Sequence, residues 1–243
     1  MIVRFLLAAL AAGLIAGLAM TPAQYGKTIP LIMQAEAYEN GEAGHDHHAP
    51  DSSGATTADD GHAHSHGDGE SVLGFGRFGN TVLANIVAGC GFALMLAAVA
   101  LLTGIEFPVG REGLIRGLVL GAGAWFSVQL APSFGLPPAV PGFPYADLGD
   151  RQTWWMLTVA ASAAGLWLLA LRPEWIVKAV GLAIIAAPHL WGAPVPEDIV
   201  SNVPAYIASA YAAASLATTL FFWLLLGGAL GVFMARAAGS RPA

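Results

Sequence analysis

The sequence predicts an all-α integral membrane protein, a bundle of about six transmembrane helices (five as the lower count) with a disordered histidine-rich outer loop. Of the 243 residues, 56% are hydrophobic and only 11% are charged, which is too apolar for an ordinary soluble domain. The charges cluster between long uncharged runs, as expected for loops between spans. One polar segment is so rich in histidine, aspartate and small residues that it cannot build a core.

The apolar runs predict the helices. Residues 2–20 fit either a signal peptide or a first spanning helix, and we favour a retained helix because the run suits a bilayer and a cleavage site is poorly matched. A later run, 175–191, is short and contains Pro188. The spans predicted after the first are 81–102, 113–130, 154–171, 175–191 and 206–234.

Glycines spaced four residues apart recur within these runs. In a bilayer, small residues at this spacing let two helix backbones approach closely. The pairs are Gly13 with Gly17, Gly117 with Gly121, and Gly227 with Gly231. We therefore predict that these pairs mark helix–helix contacts.

The chain is predicted to divide into four regions, and the third of these contains a proline-rich loop. Five prolines and three glycines make that loop irregular rather than helical or extended. The regions are a first helix with an acidic extension (1–38), a His/Asp/Gly-rich outer loop (39–76), a five-helix bundle (77–236) containing the outer loop 131–152, and a short cytoplasmic tail (237–243).

Loop charges predict the orientation in the membrane. With the amino terminus inside, seven of the ten Lys and Arg residues lie in inner segments, as the positive-inside rule requires. Thirteen of the sixteen acidic residues then lie outside. In a bacterium this predicts a multi-pass inner-membrane protein with both termini in the cytoplasm and the histidine-rich loop in the periplasm.

Six of the seven histidines fall within residues 45–66, interleaved with four aspartates. In H-x-H clusters an extended backbone places alternate imidazoles on one side, within reach of a common metal ion. The alternative is a solvated low-complexity loop with incidental histidines. The predicted metal ligands in this segment are His45, His47, His48, His62, His64 and His66.

Three further ligands are predicted near the outer face. Glu36 and Glu39 are three residues apart, so on a helix they project from one face and could accept an ion from the loop. Their alternative is ordinary charge at a solvated helix end. His189 is a lone ionisable residue at membrane depth, which by default indicates a site. Together they predict a His/carboxylate vestibule.

Other polar residues at the outer ends of the spans have competing explanations. Gln24, Asn85 and Gln129 could line the vestibule or form hydrogen bonds between helices. Asp147 and Asp150 could contribute carboxylates or stabilise the start of the following helix. The sequence leaves these alternatives open.

Imidazole with carboxylate suits Zn, Ni, Co and Cu(II), while the lack of Cys-x-x-Cys or a methionine cluster argues against Cu(I). The acidic outer segment argues against nucleic acid as a partner. The nearest match to a phosphate-binding loop has Thr21 where glycine is required, so no ATPase is predicted. No catalytic arrangement stands out, so we predict no enzyme and no cofactor, with the metal as cargo.

The segments PLIMQAEAYE, LAPSFGLPPAVPGFPYADLGDRQTWW and APHLWGAP, with the histidine-rich insert, resemble the CbtA family of probable cobalt transporter subunits. The resemblance covers essentially the whole chain. It implies a membrane protein of a cobalt uptake route that feeds cobalamin synthesis. It also implies a small single-span, CbtB-like membrane partner and a family often described with five spans.

The sequence therefore predicts an inner-membrane transporter component that captures Co²⁺ on the outer loop and passes it through the vestibule. A nickel or zinc importer shares every one of these features. A membrane-anchored periplasmic buffering or donor protein without conduction is a further alternative. An oligomer is compatible with all three.

Overall fold

The computed structural model describes residues 2–39 and 76–239. In these two ranges the chain forms seven helices and no strand. The six predicted histidine ligands between His45 and His66 lie outside the described residues. The helices are α1 (Ile2–Lys27), α2 (Ile29–Glu39), α3 (Gly76–Thr103), α4 (Arg111–Ser133), α5 (Leu148–Leu171), α6 (Trp175–Trp191) and α7 (Ala205–Gly239).

Five of these helices, α1, α3, α4, α5 and α7, are long and apolar enough to cross a membrane. The sixth apolar run forms α6, which has 17 residues and contains Pro188. The predicted all-α membrane bundle is therefore confirmed, with five long helices and one shorter apolar helix in the described chain.

Several predicted boundaries were wrong: the first helix continues to Lys27, α5 begins at Leu148 and not at 154, and α7 continues to Gly239 and not to 234. The span predicted at 81–102 begins earlier, at Gly76, because the glycine-rich stretch before it continues into the helix. The proline-rich loop predicted at 131–152 is irregular only between Ser133 and Leu148, since α4 runs on through Pro132 and Asp147 starts α5.

Four helices pack side by side in the order α3, α1, α7, α4, which we call the four-helix layer. Its core is built from small residues on α1 and larger ones on α7. Ala9, Ala12 and Ala16 are fully buried on α1, and Leu226 and Leu230 are fully buried on α7. The small residues allow α1 to lie between two neighbours at once.

Glycines set the closest approaches inside this layer. Gly117 of α4 lies against Gly227 of α7, so closely that a Cβ at either position would collide with the other residue's carbonyl oxygen. On the other side of the layer, a Cβ at Gly13 of α1 would lie 2.5 Å from the carbonyl oxygen of Gly89 of α3. The contacts predicted from the glycine spacing are present.

Helices α5 and α6 form a separate hairpin, which we call the α5–α6 hairpin. Its helices meet where Gly165 faces Gly181. The hairpin contacts the four-helix layer chiefly through the last part of α4, where Phe126–Leu130 forms a π-helical turn. It is therefore attached at one end of the bundle, which we call the α2 end because α2 lies there.

A second, smaller core covers the α2 end. Ala35 of α2 and Ile207 of α7 are fully buried there against Val140 and Val203 of the connecting loops. Tyr38 packs at its edge. This core holds the proline-rich loop against the start of α7.

Candidate functional site

His189 lies on the last turn of α6, at the α2 end, and its neighbours are aromatic. The ring of Trp154 is 5.6 Å away between centroids and that of Phe134 is 6.2 Å away, both edge to face. The Trp154 Nε1–H donates to the carbonyl oxygen of Pro188 over 3.2 Å, which fixes the start of α5 against the end of α6. The imidazole is half-buried in this setting.

Glu36 and Glu39 lie on α2, three residues apart as predicted. Glu36 forms an ion pair with Arg77 at the start of α3, with Nη2 and Oε1 3.1 Å apart. Both partners are about half exposed, so the pair contributes at most about 1 kcal/mol. Glu39 packs beside Gly142 of the proline-rich loop.

These three predicted ligands do not form one cluster in the described chain. Within residues 2–39 and 76–239, no three His, Cys, Asp or Glu side chains are grouped as metal ligands. Glu36 is held by Arg77 and His189 is surrounded by rings. The His/carboxylate vestibule therefore stays a prediction, and the six histidines of the predicted capture loop lie outside the described residues.

The polar residues predicted at the ends of the spans are partly accounted for by contacts between helices. The Asn85 Nδ2 of α3 donates to Thr21 Oγ1 over 3.1 Å and to Gln24 Oε1 over 2.7 Å, both on α1. Interhelical hydrogen bonding, the competing explanation, thus applies to Gln24 and Asn85. Such bonds stabilise a helix pair by roughly 0.6 to 2 kcal/mol.

Capping accounts for Asp147. Its carboxylate accepts hydrogen bonds from the backbone N–H groups of Gly149 at 2.8 Å and Asp150 at 3.3 Å. This is the N-cap arrangement, in which a side-chain oxygen satisfies N–H groups that have no partner within the helix. Asp150 lies in the first turn, where a negative charge suits the helix dipole.

The Glu36–Arg77 ion pair also joins the two ends of the segment 40–75. Next to it, the rings of Tyr25 and Phe78 meet edge to face with centroids 5.3 Å apart. The chain therefore leaves α2 and enters α3 at neighbouring points of the α2 end. The described residues that flank positions 40–75 are thus close together.

The comparison with protein families decides the identity of the chain. A family model described as the probable cobalt transporter subunit, CbtA, matches residues 2–235. The chain belongs to the CbtA family. The family and the apolar helices together indicate a multi-pass membrane protein that works with a metal ion and other subunits. Searches of curated proteins and of solved structures gave no match.

Sequence reasoning missed a cavity in this CbtA-family protein. It has a volume of about 550 Å³ and lies at the α2 end between α4, α5 and the two proline-rich connections that follow α4 and α6. Its polar lining residues are Gln129, Arg151 and Gln152, with Tyr145 beside them. The signal available in the sequence was the proline-rich segment followed by Arg-Gln. The π-helical turn that carries Gln129 has no sequence pattern that we could have used.

Tyr145 orders the wall of this cavity. Its hydroxyl donates to the carbonyl oxygen of Val140 over 3.1 Å, and the Arg151 guanidinium lies 4.4 Å above its ring centroid. Burial raises the pKa of Tyr145, an effect that the positive charge of Arg151 partly offsets. The phenol therefore stays neutral at physiological pH and acts as a hydrogen-bond donor.

Proposed function

We propose that this CbtA-family chain is the inner-membrane subunit of a Co²⁺ uptake transporter linked to cobalamin synthesis. In this proposal it captures the ion on a periplasmic histidine-rich loop and passes it inward through a His/carboxylate vestibule, without an ATPase of its own. The observation that carries the proposal is the match of residues 2–235 to the probable cobalt transporter subunit, and the Glu36–Arg77 ion pair supports it because it brings together the residues that flank the six histidines.

The segment with the six histidines joins the end of α2, which carries Glu36 and Glu39, to the start of α3. This covalent linkage raises the effective concentration of imidazole near the two carboxylates. These two carboxylates are the proposed first acceptors. His189, on the α5–α6 hairpin, is the proposed next ligand, because it is the one histidine within the described residues.

Membrane potential is a sufficient energy source for import. A dication entering a negative cytoplasm gains about 4.6 kcal/mol at 100 mV, from about 2.3 kcal/mol for each charge. The proposed partner is a small single-span, CbtB-like membrane protein. Nickel or zinc would satisfy the same imidazole and carboxylate ligands and are the alternative cargoes.

A second function has its own supporting observation. Within residues 2–39 and 76–239 no three His, Cys, Asp or Glu side chains are grouped as metal ligands, and in this alternative the chain holds metal on its histidine segment. It would then be a membrane-anchored buffering or donor protein with no conduction. The two functions differ in what remains after that segment is removed.

Radiolabelled Co²⁺ uptake tests the proposal in cells that lack other cobalt importers. Uptake is measured with and without this chain and its partner, for a deletion of residues 45–66 and for His189→Ala, under nickel and zinc competition. We expect uptake to require the chain and to fall in His189→Ala. The deletion variant should take up less cobalt than the wild type at low external concentration and as much at high concentration, because it loses capture and keeps conduction.

The buffering alternative gives the opposite results. Metal would bind to cells expressing the chain without any change in the rate of entry. Deleting residues 45–66 would then remove the whole metal phenotype at every cobalt concentration. Either result would end the conduction proposal.

A further inference from the structure

The cavity between α4 and α5 is partly open, has a volume of about 550 Å³ and carries a cationic side chain in its wall. A volume of this size is typical of sites for small organic molecules. The one charged side chain in its lining is the cationic Arg151, which repels a free dication.

Arg151 forms no ion pair with a described residue, and its contact there is with the face of the Tyr145 ring, whose centroid lies 4.4 Å from Cζ. Stacking of this kind leaves the N–H groups at the edge of the guanidinium free for a ligand. Of the two acidic residues that precede Arg151, Asp150 is adjacent in sequence but forms no ion pair with it, and Asp147 is directed to the backbone of α5.

Two amides complete the polar lining. Gln129 and Gln152 form no side-chain hydrogen bond with any described residue, although Gln129 is half-buried. Gln129 is placed at the cavity by the π-helical turn Phe126–Leu130, and such turns often occur at functional sites. Each amide can both donate to and accept from a ligand.

The rest of the lining is apolar. Six prolines line the cavity, and because proline has no N–H they supply no backbone donor. An anion bound there would therefore rely on the side-chain donors. Phe143 and Trp155 supply aromatic surface.

We propose that this cavity binds a small organic carboxylate, either free or as the chelator of a divalent or trivalent metal ion, and that Arg151 recognises the carboxylate group. The guanidinium fork matches a carboxylate in a planar, two-bond arrangement. Gln129 and Gln152 hold the remaining oxygens, and the proline and aromatic surfaces cover the carbon skeleton. This site does not depend on the proposed transport activity.

Isothermal titration of the purified full-length protein in nanodiscs tests the proposal. The probes are citrate, its neutral triethyl ester, and the substitution-inert anion Co(III)–EDTA, which imidazoles cannot strip of its metal. We expect citrate or Co(III)–EDTA to bind and the ester not to bind. Binding of citrate identifies a free carboxylate as ligand, while binding of Co(III)–EDTA alone identifies a metal chelate.

Variants locate the site. Arg151→Gln should weaken binding by about tenfold to a hundredfold, the range for losing hydrogen bonds to a charged group. Arg151→Lys should give an intermediate loss, because it keeps the charge but not the fork. Arg77→Gln is the matched control at the same end of the bundle and should change nothing, since Arg77 pairs with Glu36 outside the cavity.

Two results would overturn the proposal. One is a wild-type protein that binds neither anion at millimolar concentration. The other is unchanged binding in Arg151→Gln. If Arg151→Gln fails to fold, as judged by its thermal transition, Gln152→Leu takes its place, because Gln152 is exposed and its loss should still weaken binding several-fold.

Discussion

The four-helix layer and the α5–α6 hairpin hold their helices together in different ways. The layer is closed by glycine contacts on two sides, α1 with α3 and α4 with α7. The hairpin has one such contact, between Gly165 and Gly181, and touches the layer chiefly at the α2 end. His189 and the cavity both lie at that junction. Rigid packing and candidate chemistry are thus in separate parts of the molecule.

Burial shows the same difference. Eleven residues of α7 are buried, including Leu226 and Gly227, whereas Gly181 is the one buried residue of α6. In a bilayer the exposed apolar side chains of α6 face lipid. Packing against the four-helix layer therefore stabilises α6 little. Regions with few buried contacts open at lower cost than well-packed ones. The hairpin is therefore the part of the chain suited to move.

The largest expected effect is in the layer. Gly117→Val places two methyl groups where even a Cβ collides with the Gly227 carbonyl, and backbone cannot move aside as a side chain can. We expect a loss of about 3 kcal/mol or more, at the upper end for overpacking, with failure of the whole bundle. Denaturant unfolding in detergent measures it. Gly91→Val is the control, since nothing lies within 4 Å of a Cβ there, and equal loss in both would refute the packing argument.

A smaller and more local effect is expected in the hairpin. In Gly165→Val the added atoms meet the side chain of Ile185 at 2.5 Å and the Gly181 carbonyl at 2.6 Å. Because the Ile185 side chain can change rotamer and the backbone contact is less close than at Gly117, we expect a loss of about 1 to 3 kcal/mol. Hydrogen exchange should show faster exchange in α5 and α6 alone. Faster exchange in α1 or α7 as well would mean that the two regions unfold together.

The smallest expected effects are those of substitutions at two polar side chains, one in the four-helix layer and one in the hairpin. Asn85→Leu removes the hydrogen bonds to Thr21 and Gln24, and we expect a loss of roughly 0.6 to 1.7 kcal/mol. Ser162→Ala in α5 should be neutral or slightly stabilising, because the Ser162 hydroxyl is buried and has no hydrogen-bond partner among the described residues. Thermal unfolding of both variants is the measurement. A larger loss of stability for Ser162→Ala than for Asn85→Leu would contradict this prediction.

Much of the fold could be predicted because its determinants are local in sequence. Apolar runs mark helices, glycine spacing marks close approach, and Asp147 precedes a helix that it caps. The Glu36–Arg77 pair could not be predicted, since it joins residues 41 positions apart and either partner alone resembles ordinary surface charge. The π-helical turn was missed because one extra residue in a helical turn leaves the apolar pattern almost unchanged.

The candidate site was predicted less well than the fold. Glu36, Glu39 and His189 were chosen for their residue types and their side of the membrane, but which ligands share a cluster depends on how the hairpin meets the layer. That junction is set by Trp154, the π-helical turn and the proline-rich loop. In the sequence, Arg151 is one of the three Lys and Arg residues assigned to outer segments, and it contributes only to the predicted orientation. Its role at a cavity wall required the three-dimensional arrangement.

The Glu36–Arg77 pair has a practical consequence for engineering the chain. Since the flanking residues already lie close together, a longer connection between them should destabilise the bundle little. Doubling the length of a flexible connection costs only about 0.6 kcal/mol of closure entropy. A small fluorescent domain or an epitope inserted between Glu39 and Gly76 should leave the helical bundle intact. The same position offers a handle for labelling the protein in living cells without touching either the glycine contacts or the cavity.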